Sequence, residues 1–278
     1  MIGNVWKRSA HTRGTLLLLL GSLALWEFGV RLFGVREFVV PPPSTVFTDI
    51  ASAPLYFLKE SAYTLAATLS GFGIALVLGV LFAIAIVYSP LLDRTLYTLL
   101  VALNAVPKVA LAPLFVIWLG TEEKPKIAIA ALIAIFPILV DTVHGLRAID
   151  PEMVNMAKAG HASSAKTLWK VRLPNALPSM FAGMKVGISL ALVGAIVGEF
   201  VAGDSGLGHV ILVAQSSFDT PRLFGALVLL GVLGTLLFKL VDWAEQLAIP
   251  WHVSHRGKRR GAAPVKLARG APPVASPV

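Results

Sequence analysis

Long apolar runs separated by short charged connectors set the pattern of the chain. A helix that crosses the ~30 Å hydrocarbon layer takes roughly 20 residues. Six stretches meet that length, at about 15–34, 62–88, 95–119, 126–144, 179–202 and 223–248. The first, TLLLLLGSLALWEFGVRLFG, follows Lys7, Arg8 and Arg13 as the apolar part of a signal peptide would. It continues through Trp26, Glu27 and Arg31 with no small-x-small cleavage site, so it is read as a retained helix.

The connectors carry their own signals. In PPPSTVFTDI the prolines stop the preceding helix. Ser44 suits the N-cap of a short helix whose Val46, Phe47 and Ile50 recur at helical spacing, on the outer membrane surface. The stretch at about 145–178 is the longest connector on its side. Asp150 is a good N-cap, Pro151 fits the first helical position, and Glu152 complements the helix dipole. Met153, Val154, Met156 and Ala157 then form a helical apolar pattern. A second short helix is predicted over 163–172, capped by Ser163 or Ser164. Its Leu168, Trp169 and Val171 lie among Lys166, Lys170 and Arg172, and it stops where Pro174 and Pro178 interrupt the backbone. No internal repeat stands out.

Composition fixes the class. Of 278 residues, 56% are hydrophobic and only 14% charged, against about 25% charged in a soluble domain. A soluble α/β fold cannot clothe its outer helix faces from so few polar residues. The net charge is +9. Its distribution is topological: Lys7, Arg8, Arg13, Arg94, Arg147, Lys158, Lys166, Lys170, Arg172 and the cluster from Arg256 to Arg269 fall on one side. Only Arg31, Arg36, Lys59, Lys124, Lys126 and Arg222 fall on the other. That bias predicts a multi-pass protein with both termini cytoplasmic, and it argues against nucleic-acid binding. The chain has no cysteine, which excludes disulfides, thiolate metal sites and iron–sulfur clusters within it. The Pro/Ala/Gly-rich tail is expected to be disordered, with its basic part near anionic headgroups. Trp6, Trp26, Trp118, Trp243 and Trp251 sit mostly near run ends, as in an aromatic belt.

Residues 160–167, GHASSAKT, come within one residue of the phosphate loop G-x-x-x-x-G-K-[ST], with Ala165 where the second glycine belongs. A phosphate loop needs a strand before it and an open backbone before its lysine. The preceding DPEMVNMAKA is helical in pattern, and a Cβ at 165 obstructs the path. The chain is therefore not read as a nucleotide binder. The connector is an amphipathic helix–turn–helix. By physics alone it suits either a surface helix on lipid or a docking site for a cytoplasmic partner.

The passage NMAKAGHASSAKTLWKVRLP resembles the cytoplasmic signature of the membrane permeases of binding-protein-dependent ABC importers: E-A-A, three residues, G, nine residues, I-x-L-P. Counted back from Leu173 and Pro174, the E-A-A positions fall on Asn155, Met156 and Ala157, the glycine on His161 and the isoleucine on Val171. Glycine there suits a left-handed turn. His161 tolerates that conformation at some cost, or Gly160 makes the turn one residue early. The resemblance covers about residues 36–252. ALNAVPKVALAPLFVIWLG, FPILVDTVHGLRAIDPE, VGAIVGEFVAGDSGLGHVI and FDTPRLFGALVLLGVLG look like the nitrate/sulfonate/taurine-type branch. Within it, VPKVALAPL, GEFVAG, FDTP and IPWHVS are more similar to permeases assigned to pyrimidine precursors of thiamine or to riboflavin.

The resemblance implies an all-α polytopic protein of about six transmembrane helices, with the type I ABC importer permease fold and a cytoplasmic coupling helix pair. It implies a non-enzymatic permease subunit in the inner membrane that carries no cofactor, ATP and Mg belonging to a partner. The implied partners are a pair of ABC ATPase subunits, a periplasmic or lipid-anchored solute-binding protein, membrane lipids and a second permease copy. The expected divisions are 1–35 (N-terminal segment and first helix), 36–61 (periplasmic segment with a short helix), 62–248 (core permease) and 249–278 (basic tail). The implied coupling residues are Asn155, Met156, Ala157, Gly160, His161, Ala162, Ser163, Leu168, Leu173 and Pro174.

Polar groups inside a membrane are costly and mark function. Asn104 and Lys108, in the third span with Pro107 and Pro113 flanking, are candidates for the translocation path, as is Glu199 late in the fifth span. A Lys108–Glu199 contact would be a structural ion pair or part of the path. Gly194, Gly198 and Gly203 around Glu199 are read first as close helix contacts. Asp141 and His144 are expected in interfacial or structural roles, and Lys185 and Lys239 are expected to snorkel to the inner surface. Two other readings are an ion-gradient-driven secondary transporter and an intramembrane enzyme. The enzyme would need paired acids or a nucleophile–base set that these runs do not supply.

Overall fold

The computed structural model describes residues 2–97, 99, 102 and 106–250, and the regular elements among them are all helices. They are α1 (Ile2–Leu32), α2 (Pro43–Ser52), α3 (Pro54–Tyr88), α4 (Pro90–Leu92), α5 (Ala112–Leu119), α6 (Glu123–Arg147), α7 (Pro151–Ala159), α8 (Ser164–Thr167), α9 (Leu173–Ala202), α10 (Leu207–Ser216) and α11 (Thr220–Ala248). Among the described residues, four helical stretches are long and apolar enough to cross a membrane: Pro54–Tyr88, Glu123–Arg147, Ser164–Ala202 and Thr220–Ala248.

α6 is the central helix, packed between α3 and α9. The seam is built from Ala67, Ala75, Ala130, Ala134, Ala191 and Ala195 around Ile138. A Cβ at Gly194 would stand 2.6 Å from the Ala130 Cα, so glycine is what allows α9 to approach α6 this closely. Small-residue seams are how membrane helices associate when lipid is as apolar as their side chains.

Several sequence expectations shift. The 95–119 run is not one continuous helix. α4 passes into a π turn at Asp93–Tyr97, and beyond Pro107 a 3₁₀ turn, Lys108–Leu111, leads into α5. Pro107 and Pro113 each remove a backbone donor, which explains the interruption. By contrast, the second short helix of the connector does not stop at Pro174 and Pro178. It runs from α8 through a π turn at Leu168–Arg172 into α9. The widened turn lies just where the Pro174 ring would meet the Lys170 carbonyl, four residues back, so the helix accommodates the proline.

Ser44 does not cap α2 with its side chain; the helix begins at Pro43. Instead Glu27 of α1 accepts from the Ser44 backbone N–H (3.0 Å) and from the Ser44 hydroxyl (2.9 Å), and Arg31 pairs with Glu27. The acid at the start of α2 thus comes from another helix and complements its dipole. Trp26 meets Phe224 of α11 with ring centroids 5.7 Å apart. Lys185 does not reach outward as a lone cation: it pairs with Asp242 and Glu245 of α11.

Candidate functional site

The connector between α6 and α9 is a capped, defined unit. Asp150 accepts from the Glu152 N–H at 2.9 Å, and Pro151 opens α7. The helix ends at Gly160, whose φ is −78°, while His161 has φ +54°. The His161 N–H bonds the Lys158 carbonyl (2.9 Å) and the Ala162 N–H bonds the Ala157 carbonyl (3.0 Å). That double closure, with the left-handed residue in between, is the Schellman cap. The turn therefore falls on His161, not on Gly160. Ser163, not Ser164, caps α8 by accepting from the Lys166 N–H at 3.3 Å.

Tyr88 anchors this unit to α3: its hydroxyl donates to the Ser164 carbonyl at 3.3 Å, and Arg172 lies over its ring. Leu168 and Leu173 pack on the cluster of Ala83, Ile86, Leu139 and Leu146. Ala157, Ala162 and Pro174 are half-buried, whereas Asn155, Gly160, His161 and Ser163 face solvent. So do three large apolar side chains: Met153 is 48% exposed, Met156 75% and Trp169 65%. α7 buries no residue fully.

Because a non-glycine residue in the left-handed region costs roughly 1 kcal/mol, His161→Gly removes local strain while adding some unfolded-chain entropy. If the implied ATPase partner docks here, this variant is expected to keep or raise ATP-coupled uptake on reconstitution with that partner. Complete loss of uptake in an assembled complex would assign the imidazole a role of its own.

At the opposite end, two acids from different spans converge on the start of α10. Glu199 of α9, 0% exposed, accepts from the Thr64 hydroxyl (2.7 Å) and from the Gly208 N–H (2.7 Å). Thr64 of α3 in turn accepts from the Leu207 N–H at 2.8 Å, and Glu60 of α3 accepts from the Gly206 N–H at 2.6 Å. Three consecutive backbone donors at a helix N-terminus are thereby satisfied by buried side chains. Gly206 has φ +101°, and a Cβ there would fall 2.2 Å from the Glu199 Oε1.

Beside this clamp is Lys126, 1% exposed, which bonds Glu123 at 3.0 Å and the Ser205 hydroxyl at 2.9 Å and lies 3.6 Å from Asp204. The Asp204 backbone N–H, and then Lys126, hold the Asp204 carboxyl below its ordinary range. Lys126 is thus the basic partner of this region. Lys108 stands instead over the Phe136 ring of α6, 5.5 Å from its centroid. Asn104 lies outside the described residues.

Glu60, Thr64 and Lys126 escaped the sequence reading. The available signal was Glu60 and Thr64 one turn apart at the edge of an apolar run, with Gly206 and Gly208 flanking Leu207. A shallow groove of about 380 Å³ on α6 is lined by Val140, Asp141, Val143, His144 and Arg147, and Arg147 is salt-bridged to Asp93.

Residues 75–251 match the family described as "Binding-protein-dependent transport system inner membrane component". The riboflavin transport system permease protein RibX of Chloroflexus aurantiacus is 38% identical over 243 residues, covering 86% of this chain and 89% of that one. The formylaminopyrimidine transport permease protein ThiX of Halalkalibacterium halodurans is 30% identical over 245 residues (88% and 98%). The putative aliphatic sulfonates transport permease protein SsuC of Bacillus subtilis is 31% identical over 257 residues (90% and 91%). Among solved structures, a chain of the MetNI methionine ABC transporter superposes with a TM-score of 0.60 at 21% identity, over 67% of this chain and 93% of that one, and so shares its fold.

Proposed function

We propose, for a chain that belongs to the family of binding-protein-dependent transport system inner membrane components, that it imports a small nitrogen heterocycle of the pyrimidine-precursor or flavin type. The chain is the permease subunit of an ABC importer of the nitrate/sulfonate/taurine branch. It is a transport subunit and not an enzyme. An ATPase and a solute-binding protein complete the system.

The observation that carries the solute class is the relative named for riboflavin, at 38% identity, against 31% and 28% for relatives named for sulfonates and taurine. The relative named for formylaminopyrimidine is close to the latter two in identity, at 30%. The test is a thermal-shift screen of the cognate binding protein with flavins, thiamine pyrimidine precursors, aliphatic sulfonates, taurine and nitrate. Stabilisation by a flavin or a pyrimidine is the expected result. Stabilisation by a sulfonate or by nitrate alone would overturn the assignment.

In the same reading two copies of the chain enclose the path, both termini are cytoplasmic, and the Arg147 end of α6 faces the cytoplasm. The residues Asn155, Met156, Ala157 and Gly160 to Ser163, with Leu168, Leu173 and Pro174 supporting them, dock on the ATPase. The exposed Met153, Met156 and Trp169 support that docking, since large apolar side chains left in water mark contact surfaces. ATP binding favours one dimer state over the other, which moves access to the path from one side to the other. Glu199, buried and committed to α10, serves in this scheme as a positioning residue, whereas Lys108 borders the path.

A further inference from the structure

The packing of α6 against α3 and α9 leaves one arc of the helix open. Phe136, Pro137, Val140, Asp141, His144 and Arg147 share that arc at helical spacing, while Ile138, Leu139, Thr142, Val143, Gly145 and Leu146 are buried. Val140, Asp141 and His144 border the groove described above. Asp141 sits at the seam with α9, packed close against Gly183: a Cβ there would stand 2.8 Å from the Asp141 Cβ and 3.2 Å from its Oδ2.

Depth and charge then narrow the reading. At 1.5 Å per residue, Asp141 lies about 9 Å inside the Arg147 end of the helix, and Phe136 about 16 Å. A half-buried carboxylate bordering a groove at that depth is costly against lipid and suits a water-filled cavity. Pro137 adds to this, because a proline ring leaves the carbonyl four residues back, that of Ile133, without its helical donor. Beyond the groove, at the outer end of the arc, Lys108 stands over Phe136, and at the inner end the Arg147 guanidinium is engaged by Asp93. His144, one turn along, shares the groove with Asp141. The arc therefore presents a cation and then, about a turn and a half further in, a carboxylate.

We propose that this arc of α6 is a wall of the solute path and that Asp141 makes the inner half of the path select net-neutral solutes bearing both hydrogen-bond donors and acceptors over net anions. The proposal rests on the reading of the chain as a path-forming permease whose Arg147 end faces the cytoplasm. A carboxylate in a narrow, low-dielectric passage repels anions and concentrates cationic and donor groups. It thereby separates flavin- or pyrimidine-like cargo from sulfonate or bicarbonate.

The chain has no cysteine, so single cysteines report cleanly. Phe136→Cys, Val140→Cys and His144→Cys are made in the full chain, assembled with its ATPase in inside-out vesicles. Each is reacted with a cationic and an anionic methanethiosulfonate, with rates normalised to those of a free thiol. Leu81→Cys, on the exposed apolar face of α3, is the lipid-facing control. All three α6 positions are expected to react while position 81 does not. The cationic reagent should be favoured by about tenfold at 140 and 144.

Adding Asp141→Asn, or Asp141→Ser as a second variant, should abolish that preference while 136, 140 and 144 stay reactive. Unreactive thiols at 136 and 140, or a preference that survives both Asp141 variants, would overturn the proposal. A complex that shows no ATP-dependent uptake but gives the expected labelling would instead count against the import reading.

Discussion

Glu199→Ala should destabilise the folded permease by about 2–6 kcal/mol, one of the two largest effects expected of a single substitution in this chain. The side chain is fully buried and accepts two hydrogen bonds, from Thr64 and from the Gly208 N–H. Alanine leaves the Gly208 N–H without its acceptor in a buried site and the Thr64 hydroxyl with only the longer 3.4 Å contact to the Glu60 carbonyl, and each stranded donor costs about 1–3 kcal/mol. It also removes an acid from the positive end of the α10 dipole. Glu199→Gln should do much less harm. Its carbonyl oxygen still accepts from Gly208, and the Thr64 hydroxyl can accept from the new amide while turning its own proton elsewhere.

Gly206→Ala tests the same joint from the other side. The added methyl meets the Glu199 carboxylate, and the backbone at φ +101° disfavours any L side chain. The measurement is thermal unfolding of the purified protein in nanodiscs. The expected order of loss is Glu199→Ala and Gly206→Ala, both large, then Glu199→Gln. If Glu199→Ala melts like the parent but loses uptake, the carboxylate serves the solute and not the fold.

This joint also shows what the sequence could and could not disclose. Local signals were readable: Asp150 and Pro151 mark a helix start by their own chemistry, and the cap of the next helix was narrowed to Ser163 or Ser164, of which the structure has Ser163. The left-handed turn was narrowed to Gly160 or His161 by motif spacing, and only backbone geometry decided for His161. The glycines before Glu199 were legible as close-approach positions because a small residue on a span has few other uses. Partners distant in sequence were not legible. Thr64 and Glu199 are 135 residues apart and Glu27 and Ser44 are 17 apart. A serine before a helix looks like its own cap until a carboxylate from another helix takes its donors. Lys185 likewise resembled any lysine near a span end, and only the packing of α9 on α11 supplied Asp242 and Glu245.

The clamp at α10 and the capped loop between α6 and α9 lie at opposite ends of the same two spans. α9 carries Glu199 near one end and grows without interruption out of α8 at the other. α6 carries Lys126 in its first turn and hands over to α7 through the Asp150 cap. If the loop docks on the ATPase as proposed, a displacement imposed on it would be passed on as movement of two tightly seamed helices. The π turn at Leu168–Arg172 is the irregular step between α8 and α9.

From this arrangement, Met156→Glu combined with Trp169→Glu should abolish coupling without disturbing the fold. Both side chains stand mostly in water in the chain alone, so charging them should change stability by no more than about 0.5 kcal/mol. In the complex they would be central apolar contacts of α7 and the adjoining turn, and such anchors are worth about 2 kcal/mol or more each. At 1.4 kcal/mol per tenfold, loss of even one anchor corresponds to about 30-fold weaker association with the ATPase. The expected result is a permease with a parental melting curve that no longer copurifies with the ATPase and no longer supports ATP-driven uptake. Asn155→Ala, exposed but small and polar, should leave copurification within a few-fold of the parent. A double variant that retains full copurification would mean that the ATPase grips another surface and that Met156 and Trp169 face lipid headgroups. Vesicle flotation of a peptide spanning residues 148–175 would then show membrane binding that both glutamates remove.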